Sequence, residues 1–248
     1  MNEDRILGSL LGLAVGDALG TTVEFQARDS FPPVTDMVGG GVFSLAPGQW
    51  TDDTSMALCL ADSLLAQGRY DSVDVMERYE RWRREGYRSS TGRCFDIGNQ
   101  VSHALDAFDR EGRVPRGAPR SASAGNGSIM RLAPVVIAGF PSRDSREIVA
   151  TAGLSARETH YSVEAEAATE VFAALLVGAL LGWEADRIVD VAWASTGSAF
   201  DDVARQVALT VTTSSQAETS ARGAGDSPDA GGATDAPAAS TATEGNTK

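Results

Sequence analysis

Trp50-Thr51-Asp52-Asp53-Thr54-Ser55 sets two adjacent carboxylates among three hydroxyls, and a largely apolar run, Met56 to Ala66, follows at once. A loop turns into a helix here. If both carboxylates stay ionised in a partly dry site, a cation or several donors must stand between them, and Mg²⁺, Mn²⁺ and Ca²⁺ take such oxygen ligands. The helix start adds unpaired N–H groups that attract anions. The simpler reading makes Asp52 or Asp53 an N-cap and the remainder solvated loop. The hexapeptide alone leaves both readings open.

Working outward, apolar residues recur at helical spacing on both sides. Ile6, Leu7, Leu10, Leu11, Ala14 and Ala18 predict a helix over 4–19 with one broad apolar face. The run after Asp53 predicts a helix from about Thr54 to Gln67, stopped by Gly68. A third starts near Asp71 or Ser72 and carries Val75, Met76, Tyr79 and Trp82 inward to Gly86, and a fourth spans about Asp96 to Glu111. Pro134 limits a helix in the apolar run that follows Ser128. Further helices are predicted over 145–156, over 163–182 with Ser162 as cap, over 184–194 and from Phe200 to about Leu209. No segment alternates with a period of two for long enough to anchor a sheet. The class is therefore all-α.

With 248 residues, 42% of them hydrophobic, the chain is long enough for one domain with a full core. A net charge of -13 makes a nucleic-acid partner unlikely, because binding that backbone requires a positive surface. A phosphate-bearing small molecule needs only a few local donors and is compatible with an acidic protein. Cys59 and Cys94 form no disulfide framework and no paired metal spacing, both read as core residues, and their number fits a reducing cytosol. The acidic start, Met1-Asn2-Glu3-Asp4, is unlike a secretory signal, and the run Val171–Trp183 is too short to cross a bilayer. A cytoplasmic protein without a membrane partner is the expectation.

Several polar stations punctuate the helices. Asp17 lies in Gly16-Asp17-Ala18-Leu19-Gly20 at the end of the first helix, and Glu24 stands just outside it, before a Pro- and Gly-rich loop over 30–48 of a length that usually covers a site or is disordered. By composition alone these acids read as surface charge. Gly125-Asn126-Gly127-Ser128 lets a backbone approach a ligand and offer N–H groups, or makes a plain turn; it lacks the preceding strand and third glycine of a dinucleotide fingerprint. His160 sits in the polar joint Glu158-Thr159-His160-Tyr161-Ser162, whereas His103 falls off the apolar stripe of its helix and reads as surface. Val211 to Lys248 contains no Leu, Ile, Met, Phe, Trp or Tyr and reads as a low-complexity, disordered tail, giving a helical domain over 1–210 and a tail over 211–248.

Taken in order, Gly16-Asp17-Ala18-Leu19-Gly20 with Glu24, Trp50-Thr51-Asp52-Asp53-Thr54, Cys94-Phe95-Asp96-Ile97-Gly98, Gly125-Asn126-Gly127-Ser128-Ile129-Met130-Arg131 and Thr159-His160 resemble the ADP-ribosylglycohydrolase family. The likeness is to its bacterial branch, which includes dinitrogenase-reductase-activating glycohydrolase. The resemblance implies an all-α orthogonal bundle with a two-metal site, Mg²⁺ or Mn²⁺, at one end of a cleft for ADP-ribose. It implies Thr51, Asp52 and Asp53 as metal ligands, and Glu24, Asp52 and Asp53 as the catalytic carboxylates, Glu24 being acid/base or gate. Gly125, Asn126, Gly127 and Ser128 would cradle phosphates and ribose, with Asp17, Asp96 and His160 also on the substrate side and Asp96 facing a released group such as a guanidinium. The implied partner is an ADP-ribosylated substrate or a free ADP-ribose derivative.

One departure stands out. The family completes its metal site with an Asp-x-Asp-Thr or Asp-x-Asp-Ser motif near the C-terminus, and no Asp-x-Asp occurs in this chain. The family pattern reads as stopping near Leu209, as in a truncated or frame-shifted member. Two functions follow as expectations: a metal-dependent ADP-ribosyl-acceptor hydrolase, and a non-catalytic ADP-ribose-binding remnant with an incomplete metal site. A helical structural protein whose acidic clusters are only caps is the third and least supported.

Overall fold

The computed structural model describes residues 3–114, 124–142 and 144–189. Its helices are α1 (Glu3–Gly20), α2 (Asp52–Gln67), α3 (Ser72–Glu85), α4 (Asn99–Glu111), α5 (Ala133–Gly139), α6 (Ser145–Arg157) and α7 (Val163–Leu181). The predicted segment 184–194 is described only as far as 189 and is helical over 185–189. The predicted helix over 200–209 and the tail over 211–248 lie outside the described residues, as does the boundary drawn between domain and tail. Among the described residues there is no strand, only the antiparallel bridge of Gly40 with Leu45. The all-α class is as expected.

Local chemistry sets most helix boundaries. Asp71 caps α3 by accepting from the N–H groups of Val73 and Asp74, and Asp144 does the same for α6 with Arg146 and Glu147. Ser162 caps α7 through Ala165 N–H. At the other ends Gly68, Gly86, Gly112 and Gly182 turn into the left-handed region that a residue without Cβ enters freely. The predicted start of α4 at Asp96 is three residues early. Asp96 has φ +55°, which no helix contains, and Gly98 is the N-cap.

The core is built around α2. Met56, Cys59, Leu60 and Leu64 pack with Val75, Met76, Tyr79 and Trp82 of α3, Val101, Ala104 and Leu105 of α4, and apolar residues of α5, α6 and α7. At about 1.5–3 kcal/mol for each large side chain removed from water, this cluster supplies the main drive for folding. Cys59 belongs to it and burial pushes its thiol up to about 12, whereas Cys94 is only half-buried against its edge. His103 is exposed, as the sequence indicates.

α1 differs from its expected form. Ala18 is buried, but Leu7 and Leu11, predicted on its covered face, are 55% and 61% exposed. By length and composition alone the segment Glu3–Val23 is long and apolar enough to span a membrane. Polar bonds tie both of its ends into the bundle: Arg5 donates to Ala179 O at 2.9 Å, and Asp17 accepts from the start of α2. Both ends of α1 are thus bonded to other helices of the bundle.

Candidate active site

The N-terminus of α2 is capped from another helix. Thr51 occupies the N-cap position but makes no side-chain cap bond. Asp17, reaching across from α1, accepts from Thr51 N–H at 3.0 Å and Thr51 Oγ1 at 2.8 Å with Oδ1, and from Thr54 N–H at 3.0 Å and Thr54 Oγ1 at 2.7 Å with Oδ2. Neither Asp52 nor Asp53 is therefore the cap, which corrects the simpler reading of the hexapeptide. Asp17, expected to face substrate, has its lone pairs engaged in holding the turn. Both neighbouring carboxylates are left in the first turn of α2 with their side chains uncommitted to capping.

Asp52 is buried and Asp53 half-buried. Burial raises the pKa of each, and nearby carboxylates add to it, Asp53 and then Asp96 for Asp52, Asp17 for Asp53. Glu24 follows the short turn Thr21–Val23 and is raised by burial and then by Asp53, with Thr21 Oγ1 donating to it at 3.5 Å. Asp96 is pushed up to about 7 by burial and then by Glu24 and Asp53. Glu24, Asp52, Asp53 and Asp96 thus form one acidic cluster. The sequence segments that the resemblance joins do meet in space.

Irregular backbone holds the cluster's rim. Phe25 (φ +61°) and Asp96 (φ +55°) both adopt the left-handed conformation that bulky or branched residues avoid. Phe43, from the loop over 30–48, packs edge-on against Phe25 at 6.3 Å and Phe95 at 5.3 Å. Gly41 is needed in this loop, since a Cβ there would lie 2.5 Å from Thr21 O and its φ is +66°. Ser90 Oγ donates to Trp50 O at 2.6 Å, tying the segment after α3 to the residue before Thr51. The loop over 30–48 packs against residues that flank Glu24 and Asp96.

The second half of the site is the turn Asn126–Ser128 beside the α6–α7 joint. Gly125 and Asn126 are exposed, while Gly127 and Ser128 are buried. A Cβ on Gly127 would stand 2.8 Å from His160 Cε1, and one on Gly125 3.2 Å from His160 Nε2. The lack of a Cβ at 125 and 127 therefore makes room for the imidazole. Ser128 is turned inward, with Thr169 Oγ1 of α7 at 2.9 Å, so its hydroxyl serves the interior where the resemblance implies contact with phosphate or ribose. His160 is buried, and burial, aided by the Arg131 charge, pushes it down to about 3.

Arg131, Thr159 and Glu158 complete this half and were assigned no role from sequence. Arg131 is fully buried over the ring of Tyr79 and donates from Nη2 to Ser155 O at 3.1 Å and to Thr159 Oγ1 at 2.7 Å. Glu158 is buried nearby and pushed up to about 7 by burial, the Arg131 charge pulling the other way. Their signal in the sequence is an Arg inside the apolar run Ile129–Ile137 and a Glu at the end of an amphipathic helix. Among the described residues, Arg131 Nε and Nη1 and both carboxylate oxygens of Glu158 are buried without a hydrogen-bond partner, which fits the raised pKa of Glu158.

The two halves are neighbours along α4. The Cβ position of Gly125 is 3.8 Å from Gln100 Cγ, and that of Gly127 is 3.7 Å from Val101 Cγ2. Asp96 precedes Gln100 by four residues, at most about 14 Å of extended chain. The acidic cluster and the glycine turn therefore share one end of α4.

Sequence comparison decides the lineage. A profile of the ADP-ribosylglycohydrolase family matches residues 1–243, so the match runs past Leu209, where the sequence pattern seemed to end. The chain belongs to the ADP-ribosylglycohydrolase family. It is 56% identical to the ADP-ribosylarginine hydrolase Tri1 of Pseudomonas putida over 134 residues, 54% of this chain and 36% of that protein. It is 41% identical to the ADP-ribosyl-[dinitrogen reductase] glycohydrolase of Rhodospirillum rubrum over 147 residues, 56% of this chain and 47% of that protein. A solved structure described as an ADP-ribosylglycohydrolase-related protein complex superposes with a TM-score of 0.65 at 45% identity, covering 75% of this chain and 60% of that one. The chain thus spans less than half the length of these two curated relatives.

The glycohydrolase resemblance carries a metal with it, which the residues present fit in kind. The donors are hard oxygens whose charges raise one another's pKa, and a divalent cation would relieve that repulsion. In position they are incomplete: among the described residues no three His, Cys, Asp or Glu side chains converge as a ready-made ligand group.

Proposed function

We propose that the chain carries the site of an ADP-ribosyl-acceptor hydrolase, which cleaves the glycosidic bond between ADP-ribose and an acceptor. The observation that carries this reading is the placement of Glu24, Asp52, Asp53 and Asp96 as electrostatic neighbours by the start of α2, with a glycine turn and a histidine at the end of α4 that follows Asp96. Its support is the family membership and the names of the relatives. Arginine is the acceptor named for the Pseudomonas relative, and a guanidinium suits an acidic pocket.

The chemistry follows from the residue types. Breaking the bond at the anomeric carbon passes through a cation-like sugar, which the cluster's negative charge stabilises. Glu24 is half-exposed, with a raised pKa, and is suited to hand a proton to, or take one from, a reacting group or water. Asp96, poised near neutrality at about 7, faces the acceptor and assists its departure by hydrogen bonding. Asp17 acts at one remove by fixing the turn that bears Thr51, Asp52 and Asp53. The exposed Gly125 and Asn126 offer backbone to the phosphates, with His160 beneath them.

Thr51, Asp52 and Asp53 would hold Mg²⁺ or Mn²⁺, with water filling the remaining positions. When bound, the cation would fix ribose hydroxyls and make a water more acidic. Release of ADP-ribose from an ADP-ribosylarginine peptide, followed by chromatography with Mg²⁺ or Mn²⁺ and with chelator, tests the reading. Turnover that Glu24→Gln and Asp53→Asn leave unchanged would sink it.

A second reading has its own observation. Among the described residues no three His, Cys, Asp or Glu side chains form a ready-made ligand group, which favours a chain that binds ADP-ribose without cleaving it. Binding of ADP-ribose with no turnover under either metal selects this reading.

A further inference from the structure

Arg131 has a place that its charge alone does not explain. It is fully buried, and Nη2 makes both of its bonds to the α6 end, to Ser155 O at 3.1 Å and Thr159 Oγ1 at 2.7 Å. A guanidinium has no acceptor and keeps its protons, so Thr159 Oγ1 must accept from it. That leaves the hydroxyl hydrogen of Thr159 for its other partner, His160 Nδ1, at 2.8 Å. With the hydroxyl hydrogen on Nδ1, that nitrogen accepts, and a neutral imidazole then carries its one hydrogen on the other nitrogen. That nitrogen, Nε2, lies 3.1 Å and 3.2 Å from where Cβ atoms on Gly127 and Gly125 would stand.

We infer that Arg131 and Thr159 are positioning residues that hold His160 as the neutral Nε2–H tautomer, its N–H aimed along the Gly125–Ser128 turn at a phosphate or ribose oxygen of a bound ADP-ribosyl group. The choice of ligand rests on the proposed function; the tautomer rests on the hydrogen bonds alone. The relay also keeps the ring neutral, because a proton added at Nδ1 would meet a hydroxyl already committed to donate, with the Arg131 charge behind it.

The test uses the full chain labelled with ¹⁵N-histidine. The sequence holds only two histidines, and the exposed His103 is assigned by comparison with His103→Gln. Long-range ¹H–¹⁵N spectra between pH 6 and 8 should show His160 with a bare Nδ1 and a protonated Nε2. Thr159→Val, which keeps the shape and removes the hydroxyl, should shift the ring toward a mixture with Nδ1–H, and Thr159→Ser should restore the original state. By calorimetry, Thr159→Val should bind ADP-ribose about tenfold more weakly, the loss of roughly one hydrogen bond, while Thr159→Ser binds as the unsubstituted chain does. A protonated Nδ1 in the unsubstituted chain, or an unmoved tautomer in Thr159→Val, would overturn the relay. The expected tautomers with no ADP-ribose binding in any variant would leave the relay standing and overturn the proposed function.

Discussion

Asp17 caps a helix it does not belong to: its Oδ2 accepts both the N–H and the hydroxyl of Thr54, at 3.0 Å and 2.7 Å, across from α1 to the first turn of α2. This one carboxylate frees Asp52 and Asp53 from capping and ties the start of the acidic cluster to α1. Asp17→Ala should therefore cost about 1–3 kcal/mol, the range for a lost cap and its charged hydrogen bonds. It should also weaken any metal- or ADP-ribose-dependent stabilisation, which urea unfolding with and without ligand would measure. A loss confined to overall stability, with ligand stabilisation intact, would show that the turn holds its form without Asp17.

The glycine turn yields a graded expectation. A Cβ at position 127 would meet the imidazole at 2.8 Å, closer than real side chains approach, and one at 125 would meet it at 3.2 Å. Gly127→Ala should thus impair ADP-ribose binding more than Gly125→Ala, and Gly127→Val should abolish it while the helical circular-dichroism signal persists. Equal affinities across the three folded variants would return the turn to a plain connection.

Much of the fold was legible because local signals and periodicity agree. Asp71 and Ser162 announce α3 and α7, and Gly68, Gly86, Gly112 and Gly182 end helices as left-handed caps. The acids of the site were legible as motifs but not in their division of labour. Asp17 as a cap in trans, 34 residues before Thr51, has no local signature. The start of α4 assigned at about Asp96 followed the apolar spacing, which does not show that Asp96 has a left-handed backbone and lies beside Glu24. Ser128 was placed toward ligand by the family resemblance, and tertiary packing against Thr169 turns its hydroxyl inward. The relay of Arg131, Thr159 and His160 depends on which proton goes where, information carried by geometry and absent from residue spacing.

Glu158 makes stability depend on pH in a defined direction. Its pKa rises from 4.5 to about 7 on folding, so between those values the folded chain holds a proton that the unfolded chain has released. This contribution is fully present below pH 4.5 and is lost as pH rises through 7, amounting to on the order of 3 kcal/mol for a fully buried group. Burial of a neutral His160 acts oppositely, since the unfolded ring charges below its ordinary pKa of 6.5 while the folded one, at about 3, does not. Glu158→Gln should therefore flatten the decline in stability between pH 5 and 7.5, read from urea melts at each pH. An unchanged slope in Glu158→Gln would assign that decline to other groups.

Calorimetric titration of ADP-ribose, with and without Mg²⁺ or Mn²⁺, bears most directly on the claim that the acidic cluster and glycine turn form one ADP-ribosyl site. The expected result is binding in both conditions, tightened by the metal, with the double substitution Asp52→Ala/Asp53→Ala removing the metal-dependent gain and sparing the remainder. No binding of ADP-ribose in either condition, or a metal effect untouched by loss of Asp52 and Asp53, would contradict the account.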